Sequence, residues 1–186
     1  MKKIFLMLSI AITFLACNAQ NKTNNTKENE TMRKSLVVFY SATGTTKATA
    51  TQLATAVNAD LWEIVPAEIY TDADLDWHNP ESRSSLEMKD PEARPMIKAC
   101  TDISAYDTIY IGFPIWWDAC PRIINSWIDN NLLDNKTLIP FATSGGSSIN
   151  GSMKYLRNTY PNLNWQNGKL LNDTNTLKNW AKELKK

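Results

Sequence analysis

Residues 41–46, Ser-Ala-Thr-Gly-Thr-Thr, set four hydroxyls around one glycine. An apolar run over 36–40 ends at them, and a helix-compatible stretch over 47–54 follows. A strand, a tight turn and a helix start, in that order, aim backbone N–H groups and hydroxyls at one point. That point lies at the positive end of the helix dipole and suits a phosphate. The turn holds no Lys or Arg, and the nearest cation is Lys47. A nucleoside-triphosphate loop would need Gly-Lys-Ser/Thr with a second glycine upstream, and a dinucleotide loop three glycines. Ser41, Ala42, Thr43, Gly44, Thr45 and Thr46 therefore suit a single phosphate monoester held by neutral donors. The plainer reading of the same residues is a Ser/Thr cap on a helix that follows a strand.

Two later segments also follow apolar runs. The first, 112–121, contains Pro114, Ile115, Trp116 and Trp117. Two adjacent tryptophans after a strand cannot both enter the core comfortably. An aromatic at the mouth of a crevice suits a flat π system, which it stacks on and shields from water. The alternative is that both tryptophans cap the end of the sheet. The second segment holds Thr143, Ser144, Gly145 and Gly146, followed by two more serines. Paired glycines let backbone approach a ligand closely; the alternative is a flexible Ser/Gly turn.

The elements that must position these loops alternate in type. Strands are expected over 35–40, 60–65, 108–112 and 137–143, with a weaker one over 164–171. Helices are expected over about 45–57, 122–129, 151–159 and 174–184. Strands separated by helices argue for βαβ units and a parallel sheet. Residues 66–99 are too long for an ordinary connection and should replace or extend the second crossover helix.

The 186 residues, 43% of them hydrophobic, allow one domain of about 150 residues plus extensions. The net charge is +1, yet residues 36–134 carry six basic and 15 acidic groups, while 135–186 carry eight basic and two acidic. The basic residues are scattered, so no nucleic-acid stripe is expected. From Glu68 to Glu92 eight acids meet two bases, which reads as a solvated loop or as a docking rim for a basic partner protein. His78 is the only histidine, and no cysteine or histidine stands at ligand spacing, so no metal site is expected. Cys100 and Cys120 could pair in an exported protein or stay as thiols.

The N-terminus reads as targeting rather than fold. Lys2 and Lys3 precede an apolar run over 4–16 that is too short to span a bilayer and suits a signal sequence. Its end, Phe14-Leu15-Ala16-Cys17, resembles a bacterial lipoprotein box, which implies acylation of Cys17. The expected organisation is a signal over 1–17, a flexible polar linker over 18–34 and a folded domain over 35–186. The mature protein would be exported, tethered to a bacterial membrane by lipid, and face the periplasm or cell surface.

Val37, Val38, Phe39, Ser41, Gly44, Thr46, Ala50 and Leu53 fall on the phosphate-loop pattern of the flavodoxins, which this stretch resembles. Gly-x-Pro-Ile-Trp-Trp over 112–117 is similar to the ring-side loop of one flavodoxin subgroup, and 143–148 to the family's third flavin loop. Tyr70, Trp77 and Arg83 lie in a segment similar to the same subgroup, and would either wall the crevice or pin the loop. The resemblance implies an α/β fold with a doubly wound parallel five-stranded sheet, order 2-1-3-4-5, with ligand at the carboxyl ends of the strands. It implies FMN as cofactor, since one monophosphate cradle stands without a second nucleotide motif. Residues 41–46 would hold the phosphate, and 114–117 with 143–146 would sandwich the ring. The function implied is one-electron transfer with a redox partner protein. The alternatives are an FMN-dependent NAD(P)H:quinone or azo reductase, and a non-redox module for a phosphorylated ligand. Asp118 stands where the family often has glycine, and a carboxylate there disfavours negative charge on a nearby reduced ring.

Overall fold

A computed structural model describes residues 34–185. The expected signal, Cys17 and nearly all of the expected linker lie outside the described residues. Five parallel strands carry the framework: β1 (Lys34–Phe39), β2 (Asp60–Glu63), β3 (Tyr106–Pro114), β4 (Thr137–Thr143) and β5 (Asn164–Trp165). Their order is β2-β1-β3-β4-β5, the doubly wound arrangement that the resemblance implied. A short β6 (Lys169–Leu170) also pairs with β4.

Side chains on a strand alternate between faces, and here both faces are buried. On one face Leu36, Val38, Ile109, Ile111, Phe113 and Leu138 form a core with α3 (Arg122–Asp129) and α4 (Asn150–Thr159). On the other, Val37, Phe39, Tyr110, Ile139 and Phe141 pack on α1 (Thr45–Val57) and α5 (Thr174–Glu183). Strands covered on both sides read as near-continuous apolar runs, which is why β1, β3 and β4 were legible. Gly112 lies opposite Phe141 in the β3–β4 register. A Cβ on Gly112 would fall 2.2 Å from the Phe141 ring, so glycine here makes room for that ring.

The strand expected over 164–171 comes in two pieces. Trp165 pairs with Leu138 and Lys169 with Phe141, so this chain spends one residue more than β4 across the gap, a bulge. Pro140 sits in β4 opposite the break and has no N–H to give to the ladder.

The long connection over 66–99 contains the short helix α2 (Arg83–Lys89), capped by Ser82. Its two ends are tied together, with Ala67 N–H donating to the Met96 carbonyl at 2.7 Å and Lys98 N–H to the Val65 carbonyl at 2.8 Å. It is a closed excursion that returns to the sheet beside its starting point.

Candidate functional site

The turn after β1 needs a residue with positive φ, and Gly44 supplies it at φ 91°. Gly44 N–H donates to Ser41 Oγ at 3.1 Å, which closes the turn. Its carbonyl accepts from Ala48 N–H at 3.0 Å, which starts α1. No side chain caps α1, and its first turn holds no acid. The helix therefore begins with its N–H groups and its positive dipole end available to an anion.

The hydroxyls of the loop divide into two sets. Thr43 and Thr45 are exposed. Thr46 is 1% exposed, and its Oγ1 lies 2.8 Å from Thr143 Oγ1. That hydroxyl is spent on joining the start of α1 to the end of β4. Ser41 serves the turn, and half-buried Ala42 packs against the core.

Thr43, Thr45 and Thr49 form one side of a cleft of about 440 Å³. Pro114, Ile115 and Trp116 form a second side, and Thr143, Ser144 and Gly145 a third. Leu171 and Asn172, after β6, complete the lining. All three expected loops thus meet at the carboxyl edge of the sheet. Gly146 does not line the cleft; its N–H donates to Ser144 Oγ at 3.2 Å.

Sequence reasoning missed Thr49, Leu171 and Asn172. Asn172 holds the third loop: its Oδ1 accepts from Ser144 N–H at 2.9 Å and its Nδ2 donates to the Ser144 carbonyl at 2.7 Å. The only signal for it was its place just before the Asp-Thr start of the last helix.

The two tryptophans part company. Trp116 and Ala119 exchange backbone hydrogen bonds of 3.0 and 2.9 Å around a two-residue turn. Trp117 and Asp118, at its centre, have φ of 46° and 60°. Such a turn favours Asn and Gly, and a bulky residue there is strained. It is braced from α4, where Ser152 Oγ donates to the Asp118 carbonyl at 3.2 Å. A Cβ on Gly151 would lie 2.5 Å from that same carbonyl oxygen. Trp116 turns inward and meets Tyr40 and Tyr70 edge-on, at centroid distances of 5.8 and 5.7 Å. Trp117 turns outward, remains 51% exposed, and does not line the cleft beside Thr43.

Tyr70 and Arg83 pin the excursion. Tyr70 Oη donates to Glu87 Oε2, Arg83 Nε donates to Glu87 Oε1 at 2.8 Å, and the guanidinium lies 4.0 Å over the Tyr70 ring. Burial first, then the Glu87 bond, pushes the Tyr70 phenol well above the ordinary tyrosine value. Burial does the same to Tyr40, so both phenols keep their protons. Trp77 is 66% exposed and pins nothing of that network. Cys100 and Cys120 are both free, one exposed and one buried. Burial pushes the Cys120 thiol up to about 12, which leaves it an inert core residue.

Residues 34–184 match the family model for flavodoxin. A crystal structure assigned to a flavoprotein of Bacteroides eggerthii DSM 20697 is 52% identical to the chain. It aligns over 82% of this chain and 98% of its own, with a TM-score of 0.79. One assigned to a flavoprotein of Bacteroides uniformis ATCC 8492 is 51% identical, over 81% and 98%, also with a TM-score of 0.79. A flavoprotein of Lactobacillus acidophilus NCFM, solved in complex with FMN, is 24% identical over 80% and 99%, with a TM-score of 0.65, and shares the fold. No curated protein matches the chain. Given the family match over 34–184 and the shared architecture, the chain belongs to the flavodoxin family.

Proposed function

We propose that the domain binds FMN and acts as a one-electron carrier, exported and held at a membrane by lipid on Cys17. The observation that carries the cofactor is the start of α1. An uncapped helix N-terminus, with exposed Thr43 and Thr45 beside it, opens on a cleft bounded by Trp116. One phosphate at one end and a flat ring at the other fit that arrangement. No second nucleotide motif is present for the rest of FAD. The Lactobacillus acidophilus relative, of the same fold, holds FMN.

When bound, FMN supplies the redox chemistry. The chain's own residues bind and orient it. Thr43, Thr45 and the first N–H groups of α1 would hold the phosphate without a cation. Ile115 and Trp116 would exclude water from the ring, and Asn172 would keep the backbone of Ser144 in place. Tyr40 and Tyr70 retain their protons, so neither is set up as a base. The eight acids from Glu68 to Glu92 suit a basic protein partner, which they would draw in by long-range attraction.

The second reading is an FMN-dependent reductase, favoured by the open aromatic surface at Trp77 and Trp117. Anaerobic titration of the purified protein separates the two. A carrier is reduced by dithionite and left oxidised by NADPH; prompt bleaching of the flavin by NADPH supports the reductase. A colourless preparation that takes up no FMN returns the chain to a non-redox binding role.

A further inference from the structure

A groove of about 440 Å³ runs along α4 and shares no lining residue with the cleft proposed for FMN. Asn150, Lys154, Arg157 and Asn158 form one wall, and Asn167 and Gly168, between β5 and β6, form the other. Buried Ile149 and Met153 make the floor. The helix period gathers the first wall, since positions four, seven and eight after Asn150 fall on one face. The second wall comes close because residue 168 is glycine. A Cβ there would lie 2.7 Å from Met153 Sδ and 2.8 Å from Ile149 Cδ1.

The groove carries charge of one sign. Lys154 and Arg157 line it, and no carboxylate does. From Asn150 to Asn172 the chain has three bases and no acid. Asp118 reaches α4 but packs on Gly151 and does not line the groove. Neither cation joins an ion pair among the described residues. Like charges one turn apart on a helix repel, and an anion between them would relieve that repulsion. Arg157 is already oriented: its Nη2 donates to Asn167 Oδ1 at 3.1 Å and to the Gln166 carbonyl at 3.4 Å. A guanidinium has five N–H donors, and these two contacts occupy only its Nη2 end. A fixed fork is the geometry that pairs with a phosphate or carboxylate.

The remaining lining narrows the ligand. Asn150, Asn158 and Asn167 each offer amide donors and an acceptor, which match hydroxyl groups. A bare anion would use the two cations and leave those amides idle. From Asn150 to Asn158 the helix rises about 12 Å, enough for a sugar ring and its charged substituent. The C–H face of such a ring suits the floor of Ile149 and Met153. We propose that this groove binds a sugar that bears one oxyanion, a phosphate or a carboxylate. Such binding is independent of FMN.

The test is an NMR titration of the ¹⁵N-labelled full-length protein, saturated with FMN so that the cleft beside Thr43 is filled. Glucose 6-phosphate and glucuronate are the probes, and the tighter of the two identifies the charged group. The amide signals of Asn158, Asn167 and Gly168 should shift saturably. Glucose and inorganic phosphate should each bind about tenfold more weakly or worse. Arg157→Gln should weaken binding about tenfold or more, the scale of a lost charge-assisted hydrogen bond. Arg157 also holds the segment 166–167, so Lys154→Gln gives a second reading without that contact, and it should weaken binding severalfold. Asn167→Asp, which sets a carboxylate against Arg157, should abolish it. Lys178→Gln removes an exposed charge from α5 and should change nothing. No saturable shift, equal affinity for glucose or inorganic phosphate, or unchanged affinity in Lys154→Gln would each overturn the proposal. So would an equal loss in Lys178→Gln, which would mean diffuse attraction, or shifts confined to Thr43 and Thr45.

Discussion

Thr46 and Thr143 share a buried hydrogen bond, 2.8 Å between hydroxyl oxygens that stand 97 residues apart in the chain. It joins the first turn of α1 to the end of β4, beside the cleft. Either hydroxyl left alone becomes an unsatisfied buried group, which costs about 1–3 kcal/mol. Thr46→Val and Thr143→Val should each lower the stability of the FMN-free protein by about that much. The double variant should lose less than the sum, because it removes both partners. Urea unfolding of the four proteins measures the cycle, and strict additivity would mean the two hydroxyls do not cooperate.

Thr43 and Thr45 should behave in the opposite way. Both are exposed beside an uncapped helix start, so their hydroxyls stabilise nothing in the free protein. Each Thr→Ala change should reduce FMN affinity about tenfold or more, from the roughly 1.5–3 kcal/mol carried by a hydrogen bond to a charged group. Riboflavin, which lacks the phosphate, should bind the variants as it binds the wild type. Fluorescence titration with both flavins decides; an equal loss for both would take the phosphate away from this loop.

Gly112→Ala should destabilise the domain by about 1–3 kcal/mol, as overpacking does in a dense core. The added Cβ would lie 2.2 Å from the Phe141 ring, in the middle of the sheet. Phe141→Leu in the same chain should recover part of the loss. A thermal melt that gave Gly112→Ala the wild-type midpoint would show that the ring moves aside freely.

Asp173 links the last helix to pH. Its carboxylate accepts from Thr176 Oγ1 at 2.6 Å and from the N–H groups of Thr176 and Asn175 at 2.9 and 3.0 Å. The hydroxyl bond foremost, then the Thr176 N–H, holds its pKa below the usual carboxylate value. With the folded value depressed, its stabilising contribution is complete above the unfolded pKa of about 3.9. It is lost as pH falls through the lower folded value. Asp173→Asn still caps but does not titrate, so its melting temperature should fall less steeply than that of the wild type in this window. Parallel acid limbs would show that this cap contributes nothing to the pH dependence.

Cys17 should carry lipid, and the protein should fractionate with membranes. A short apolar run ending in a cysteine, followed by a polar arm, motivates this, and each buried CH₂ of an acyl chain adds about 0.8 kcal/mol to anchoring. Intact mass of the mature N-terminus is the measurement. An unacylated start at Asn18 or later would leave an exported protein without an anchor.

Much of the framework was legible in the residues themselves. Leu36 to Tyr40 had to be a buried strand, because its apolar side chains go alternately to both faces of a sheet. The glycine at 44 and the hydroxyls around it marked a turn into a helix, since only glycine takes φ 91° without strain. The strand order came through the family resemblance; local pattern alone does not determine which strands are neighbours.

Tertiary structure alone decided how those residues are used. Which threonine stays exposed at the helix start and which is spent on a partner depends on Thr143, nearly a hundred residues away. The divergence of Trp116 and Trp117 depends on two positive φ values that local preference argues against, imposed by α4 from across the loop. The bulge before β6 lies opposite Pro140 on the neighbouring strand, which has no N–H for the ladder, and Asn172 matters through a backbone that chain folding brings to it. In each case the deciding contact lies between residues distant in sequence. Periodicity and turn chemistry report only what a residue prefers beside its chain neighbours, whereas packing determines which preference is satisfied and which is overridden.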